Sequence, residues 1–231
     1  MWTKLLPDLK EFYSNCNLAD AFIKEEDYLK GAFYDIDALW NDNFNNKIKV
    51  VNYIMLSEAP LWGKKVGKYI YNTKYNHDSS FFRCSDLSYA LNNKPISSKI
   101  DLIKELNEIG FLIVDVSPFT LNKEDTSINY TQLSGRKKNN YYNLIKPTLR
   151  LYLDDRLSRI VKKIHDSGVK IFYRFPRIEK QLGAEISVLL QNYNLNILQK
   201  PLNDVFNHGG GINRKILTEI ISKPEFNSQV L

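Results

Sequence analysis

Apolar residues recur at two different spacings along this chain, and the spacings divide it. Up to about residue 46 the period is helical. Leu29, Ala32, Phe33, Ile36, Leu39 and Trp40 share one side of the stretch Tyr28 to Trp40, and Asn17 to Phe22 reads the same way. Two helices are predicted there, packed on the body that follows, with a polar linker from Asn41 to Lys47. The run Val50 to Leu56 is continuously apolar and then breaks at Ser57-Glu58-Ala59-Pro60. A run of that length bounded by turn residues predicts a strand buried on both faces, as in a parallel sheet. Pro60 lacks the N–H a central strand needs, so the strand ends there, with Glu58 at its C-terminal edge.

Downstream the pattern alternates. Gly63 to Asn72 and Ser85 to Leu91 predict short helices. Ser97 or Ser98 can cap a helix running to Glu108, with Gly110 as its stop. Phe111 to Val116 is a second buried run, broken at Asp115-Val116-Ser117-Pro118-Phe119. Leu121 to Asn143 is polar and reads as a mobile loop. Pro147 suits the first turn of a long helix that ends at Gly168. Val169 to Tyr173 predicts a third strand, Arg177 to Tyr193 a helix, Asn194 to Gln199 a fourth strand, and a last helix ends near Ile221. Strands separated by helices imply right-handed parallel crossovers. The expectation is a three-layer α/β/α sandwich with a central four-stranded parallel sheet, covering residues 47–231, with residues 1–46 as an N-terminal helical extension.

The 231 residues suffice for a full core, and 43% hydrophobic with 25% charged is ordinary for a globular protein. No apolar run approaches the roughly 18 residues of a membrane helix, and no signal-peptide pattern opens the chain. A cytoplasmic protein is expected. Cys16 and Cys84 alone make neither a disulfide framework nor a metal-cluster set, so no metal and no cofactor are expected. Phosphate-loop, dinucleotide and zinc-protease motifs are absent. The net charge is +6. Its placement matters more than its size. Lys64, Lys65, Lys68 and Lys74 interleave with Tyr69, Tyr71 and Tyr75. Arg136, Lys137 and Lys138 precede Tyr141 and Tyr142. Basic residues neutralise phosphates and tyrosines stack on bases, so nucleic acid is the expected partner; solvated surface segments are the alternative.

Three strand-end motifs stand in order: Glu58-Ala59-Pro60, Asp115-Val116-Ser117-Pro118-Phe119, and Asn207-His208-Gly209-Gly210-Gly211-Ile212-Asn213-Arg214. Together, over roughly residues 47–223, they resemble the uracil-DNA glycosylase superfamily. That family has an acidic or Asn-containing turn after the first strand, a base-reading Asn after a middle strand, and a His-led loop that wedges into the duplex. Here Ser57 replaces the first Gly, three glycines follow His208, no cluster cysteines are present, and Asp115 stands where Asn is expected.

The resemblance implies cleavage of the bond between C1′ and a base flipped out of the stack. Glu58 would stabilise the cation-like sugar and orient water. His208 would donate to the departing base. Phe81 or Phe82, with Trp62 as second choice, would stack on it. Gly209, Gly210 and Gly211 would let backbone N–H groups approach a phosphate, and Ile212, Asn213 and Arg214 would penetrate the duplex or clamp its backbone. Asp115 makes the sharpest expectation. An Asn amide suits uracil, whereas a neutral carboxylic acid offers the donor and acceptor that match cytosine. A buried Asp can hold that proton. Excising normal cytosine would destroy host DNA, so a C5-substituted cytosine, as in bacteriophage DNA, is the expected substrate, which makes this an antiviral enzyme. The alternatives are a uracil or deaminated-base repair glycosylase, a catalytically silent DNA-binding module, and a nucleoside-cleaving enzyme.

Overall fold

The computed structural model describes residues 1–63, 67–75, 81–122, 125–208 and 211–222. Two helices come first, α1 (Trp2–Asn15) and α2 (Ala19–Asp42), the second closing in a π-helical turn, Asn43–Lys47. Their apolar stripes bury Leu5, Leu9 and Phe12 from one helix and Leu29, Phe33, Ile36 and Trp40 from the other. The strands are β1 (Tyr53–Ser57), β2 (Phe111–Asp115) and β3 (Lys170–Tyr173). They form a parallel sheet in the order β2-β1-β3. Every residue of β2 and β3 is buried. Since successive side chains point to opposite faces, both faces of the sheet are covered.

Between the strands run α3 (Cys84–Ala90), α4 (Lys99–Glu108), α5 (Gly135–Thr148) and α6 (Asp154–Ile160); α7 (Pro176–Gln191) and α8 (Arg214–Ser222) follow β3. Ser98 caps α4, its hydroxyl accepting from the Asp101 N–H at 3.2 Å. Gly110 ends that helix region at φ +72, where a Cβ would also lie 2.5 Å from the Val50 carbonyl. The position demands glycine twice over. The helical extension is tied to the sheet by a polar bond. Trp40 Nε1 donates to the Ile113 carbonyl at 3.1 Å, and the Ile113 N–H donates to the Tyr71 hydroxyl at 2.8 Å. Side chains thus satisfy the free edge of β2.

Three expectations need correction. The described sheet has three strands, not four. Residues 194–199 touch β3 through a single bridge, Ile171 to Ile197, and a second bridge joins Tyr173 to Asp204. Between them Pro201 has no N–H for a ladder, and the chain turns, Leu202 N–H donating to the Gln199 carbonyl at 2.9 Å. The described part of residues 63–72 holds no helix. Its carbonyls serve side chains instead: Lys99 Nζ donates to those of Tyr69 (2.6 Å) and Asn72 (3.0 Å). The expected loop from Leu121 to Asn143 becomes α5 from Gly135 on. Tyr141, Tyr142, Leu144 and Ile145 bury a helical stripe, and the helix passes Pro147 into a π-helical turn, Leu149–Leu153.

Candidate functional site

The site begins where β1 and β2 stop. The two chains keep pairing past their last strand residues: Val116 N–H donates to the Ser57 carbonyl (2.8 Å) and Ser117 N–H to the Glu58 carbonyl (2.9 Å). Side chains therefore go on alternating. Ser57 and Asp115, opposite one another in the register, face one way. Glu58 faces the other. Two carboxylates one step apart in the sheet are thus sent into different surroundings.

On the Asp115 side lies a pocket lined by Ser57, Ala59, Pro60 and Leu61, by Tyr69 and Ile70, by Phe81 and Phe82, and by Lys99. Its free space is small, about 20 Å³ to the centre of a water, enough for one such molecule. Asp115 is 3% exposed, and its Oδ2 has no hydrogen-bond partner among the described residues. The Tyr69 hydroxyl is buried and unpartnered too. Burial pushes the Asp115 pKa up to about 6; the Ser57 and Tyr69 hydroxyls beside the carboxyl, neither of which completes a hydrogen bond to Oδ2, and the Arg156 charge hold the rise back. Lys99, also buried, spends two of its protons on the carbonyls above, and burial lowers its pKa to about 8.

Glu58 is equally buried, at 3%, but none of its oxygens is idle. The Tyr142 hydroxyl donates to Oε1 at 3.1 Å, and Arg177 Nε donates to Oε2. Tyr142 comes from α5 and Arg177 from the first turn of α7, so β1, α5 and α7 meet at this carboxylate. Burial raises the Tyr142 pKa, and the neighbouring Glu58 charge raises it further. The two carboxylates do not touch. Tyr130, whose pKa burial raises, lies within electrostatic reach of both.

The other expected residues distribute as follows. Phe81 and Phe82 both line the pocket, Phe82 fully buried against Phe111 with ring centroids 5.7 Å apart. Trp62 packs its ring over Gly67 rather than into the pocket. His208 is exposed and meets the Phe206 ring edge-on at 4.8 Å, outside the pocket wall. Ile212 is buried, its N–H donating to Asp86 Oδ2 at 3.2 Å, so its side chain is core and not a protruding wedge. Asn213 caps α8 through its side-chain oxygen, which accepts from the Ile216 N–H at 3.3 Å. Arg214 reaches Asp86 Oδ1 (2.9 Å) and Ser85 Oγ (2.7 Å). Gly211 adopts φ +68, with Asp86 Oδ2 3.0 Å from where a Cβ would stand. Arg136 and Lys137 are exposed and Lys138 half-buried on the first turn of α5. Lys64, Lys65, Gly209 and Gly210 lie outside the described residues.

Lys99 and Arg177 are not singled out in the sequence, and Tyr69 and Tyr142 enter it only as tyrosines of the two basic clusters, not as partners of the carboxylates. Arg177 had a signal: Phe175-Pro176-Arg177 follows the third strand as Glu58-Ala59-Pro60 follows the first. Tyr142 had a signal only for nucleic-acid stacking; nothing in its polar stretch pointed to Glu58. Arg156 supports the site from behind. It is buried between Trp40 (4.0 Å to the ring centroid) and Tyr152 (4.5 Å), and donates to Asp37 Oδ1 at 3.2 Å. Among the described residues no group of three or more His, Cys, Asp or Glu could hold a metal ion, and no helix is long and apolar enough to cross a membrane. No family model matches the chain, and neither a curated protein nor a solved structure matches it.

Proposed function

We propose that this protein is a monofunctional DNA glycosylase, built as a three-layer α/β/α sandwich, that hydrolyses the glycosidic bond of a flipped, C5-substituted cytosine and leaves an abasic site. One observation carries the reading: a buried carboxyl with a raised pKa and an unpartnered oxygen, facing a pocket walled by aromatic and apolar side chains. An orphaned polar atom in a closed pocket costs roughly 1–3 kcal/mol, and a ligand that pairs with it recovers that cost. Protonated, Asp115 presents one donor and one acceptor, the complement of the N3/N4 edge of cytosine. Moving its proton toward N3 makes the base a better leaving group. Phe81 and Phe82 supply apolar walls for a planar ring.

Glu58 stands one residue beyond Ser57, on the opposite side of the turn. Its carboxylate, aimed by Tyr142 and Arg177, stabilises positive charge at C1′ and orients the attacking water. Each of its oxygens has a second lone pair, so both partners can remain while water binds. A base is several times larger than the water-sized space in the pocket, so the mouth formed by Leu61, Lys68 and Phe81 must widen on binding. C5-substituted cytosines of this kind occur in bacteriophage DNA, which makes defence against phage the fitting role.

The tight pocket and the engagement of both Glu58 oxygens favour one second reading, a DNA-binding module without catalysis. Base-release assays separate the two. Free base and alkali-labile sites from DNA carrying hydroxymethylcytosine or its glucoside support the enzyme. Binding to the same DNA without release supports the silent module.

A further inference from the structure

The chain leaves β3 through Arg174-Phe175-Pro176-Arg177, and both arginines lie against one ring. The Arg174 guanidinium carbon is 4.4 Å from the Phe175 ring centroid and that of Arg177 is 4.3 Å from it. Arg174 is 2% exposed. Its Nε donates to the Phe81 carbonyl at 3.0 Å and its Nη2 to that of Gly211, while Nη1 is buried with no partner among the described residues. Arg177 is the outer member of the pair, its side chain 38% exposed. Its Nε is given to Glu58, and its two terminal nitrogens make no hydrogen bond to any described residue. The acids near the pair are committed elsewhere. Asp86 serves Arg214, Arg83 N–H and Ile212 N–H; Asp204 serves Phe206 N–H at 3.0 Å; Glu179, in the same turn of α7, accepts from Asn203 at 2.9 Å. Among the described residues no side chain caps the N-terminus of α7.

We propose that Arg174 and Arg177, at the C-terminal end of β3 and the start of α7, form a binding site for a backbone phosphate of a nucleic-acid strand. Arg177 holds the phosphate by its terminal nitrogens and Glu58 by Nε at the same time. The planar fork offers the two partners separate nitrogens in a fixed geometry; the three donors of an ammonium radiate from a single nitrogen. The inner Arg174 contributes charge and a rigid base, because two backbone carbonyls fix it. The uncapped helix end adds its partial positive charge in the same direction. Arg177 is then a positioning residue: a docked strand and the catalytic carboxylate share one guanidinium, so Glu58 is aligned when the strand is in place. The assignment deepens the glycosylase reading and depends on it only for what Glu58 does next.

The test is strand binding as a function of salt. A fluorescent duplex carrying one glucosylated hydroxymethylcytosine is titrated with the full-length protein, with Arg177→Gln and with Arg177→Lys, over a range of salt concentrations. The expected result is a slope of log K against log salt shallower by about 0.9 in Arg177→Gln, one phosphate's worth. Arg177→Lys keeps the slope but lowers base release, because a single nitrogen cannot hold the phosphate and Glu58 at the separate positions that the guanidinium sets. Glu58→Gln keeps the slope. An unchanged slope in Arg177→Gln overturns the site, even if the wild type releases base. A shallower slope in a protein that releases no base upholds the site and sinks the glycosylase reading. Displacement of the duplex by inorganic phosphate at constant ionic strength overturns the strand assignment in favour of free phosphate.

Discussion

Asp115 and Glu58 end neighbouring strands, are buried to the same degree, and could hardly be more differently placed. Asp115 has an oxygen without a partner and a pKa raised by burial to about 6. Glu58 has both oxygens taken, one by a phenol and one by a guanidinium. Strand alternation does the separating, because Ser57 and Glu58 project to opposite sides of one turn. The difference teaches which carboxylate can do what. A group whose proton leaves near pH 6 can lend or share it; one fixed by an arginine is an oriented negative charge. Such divergence between paired carboxylates is how acid and base roles are divided in hydrolases generally.

The largest expected effect of breaking the comparison is at its charged half. Glu58→Gln keeps hydrogen-bonding shape but removes the charge, and should lower base release about 10²- to 10⁴-fold in single-turnover assays while the circular dichroism spectrum stays unchanged. Wild-type release would remove Glu58 from the mechanism.

At the other half, Asp115→Asn should move preference from modified cytosine toward uracil. A pocket that hydrogen-bonds one base edge rejects the reversed edge by leaving buried groups unpaired, so a change of at least about 10²-fold in the ratio of rates is expected. The same substitution reports on stability. The folded pKa lies above the ordinary carboxyl value of 3.8, so wild-type stability falls as pH rises from about 4 to about 6 and is level beyond. Asp115→Asn should therefore match the wild type at pH 4 and exceed it at pH 7 by up to about 3 kcal/mol in urea unfolding. In the wild type, kcat/KM should fall as pH rises through about 6, and Asp115→Asn should lack that limb.

Smaller effects sharpen the picture. Tyr142→Phe removes one of the two donors to Glu58 and should slow release by about 3- to 10-fold, in line with roughly 1 kcal/mol for one hydrogen bond. His208→Ala should change release less than about threefold, because the exposed ring makes an edge contact to Phe206 and lies outside the pocket wall. A hundredfold loss there would mean that the histidine swings in to meet the departing base.

The strand ends were legible in the sequence because an apolar run stopped by Pro60 or by Ser117-Pro118 states its own boundary. The cap at Ser98 and the stop at Gly110 were legible for the same local reason. What was not legible needed partners far along the chain. Tyr142 belongs to a stretch that reads as polar until its tyrosines find Phe12, Tyr130 and Glu58. Residues 67–72 form a turn rather than a helix, with Lys99, about thirty residues on, taking the Tyr69 and Asn72 carbonyls. Ile212 looked like a wedge because it follows glycines; it is core because Asp86 holds its backbone. The expected fourth strand, Asn194 to Gln199, keeps one bridge to β3, Ile171 to Ile197, and the chain turns away at Gln199 before a ladder forms.

The most direct test of the central claim is base release from matched duplexes containing uracil, cytosine, hydroxymethylcytosine or its glucoside. The account predicts free base and alkali-labile sites from the modified cytosines alone. Preferential release of uracil, or no release from any of the four, would contradict it.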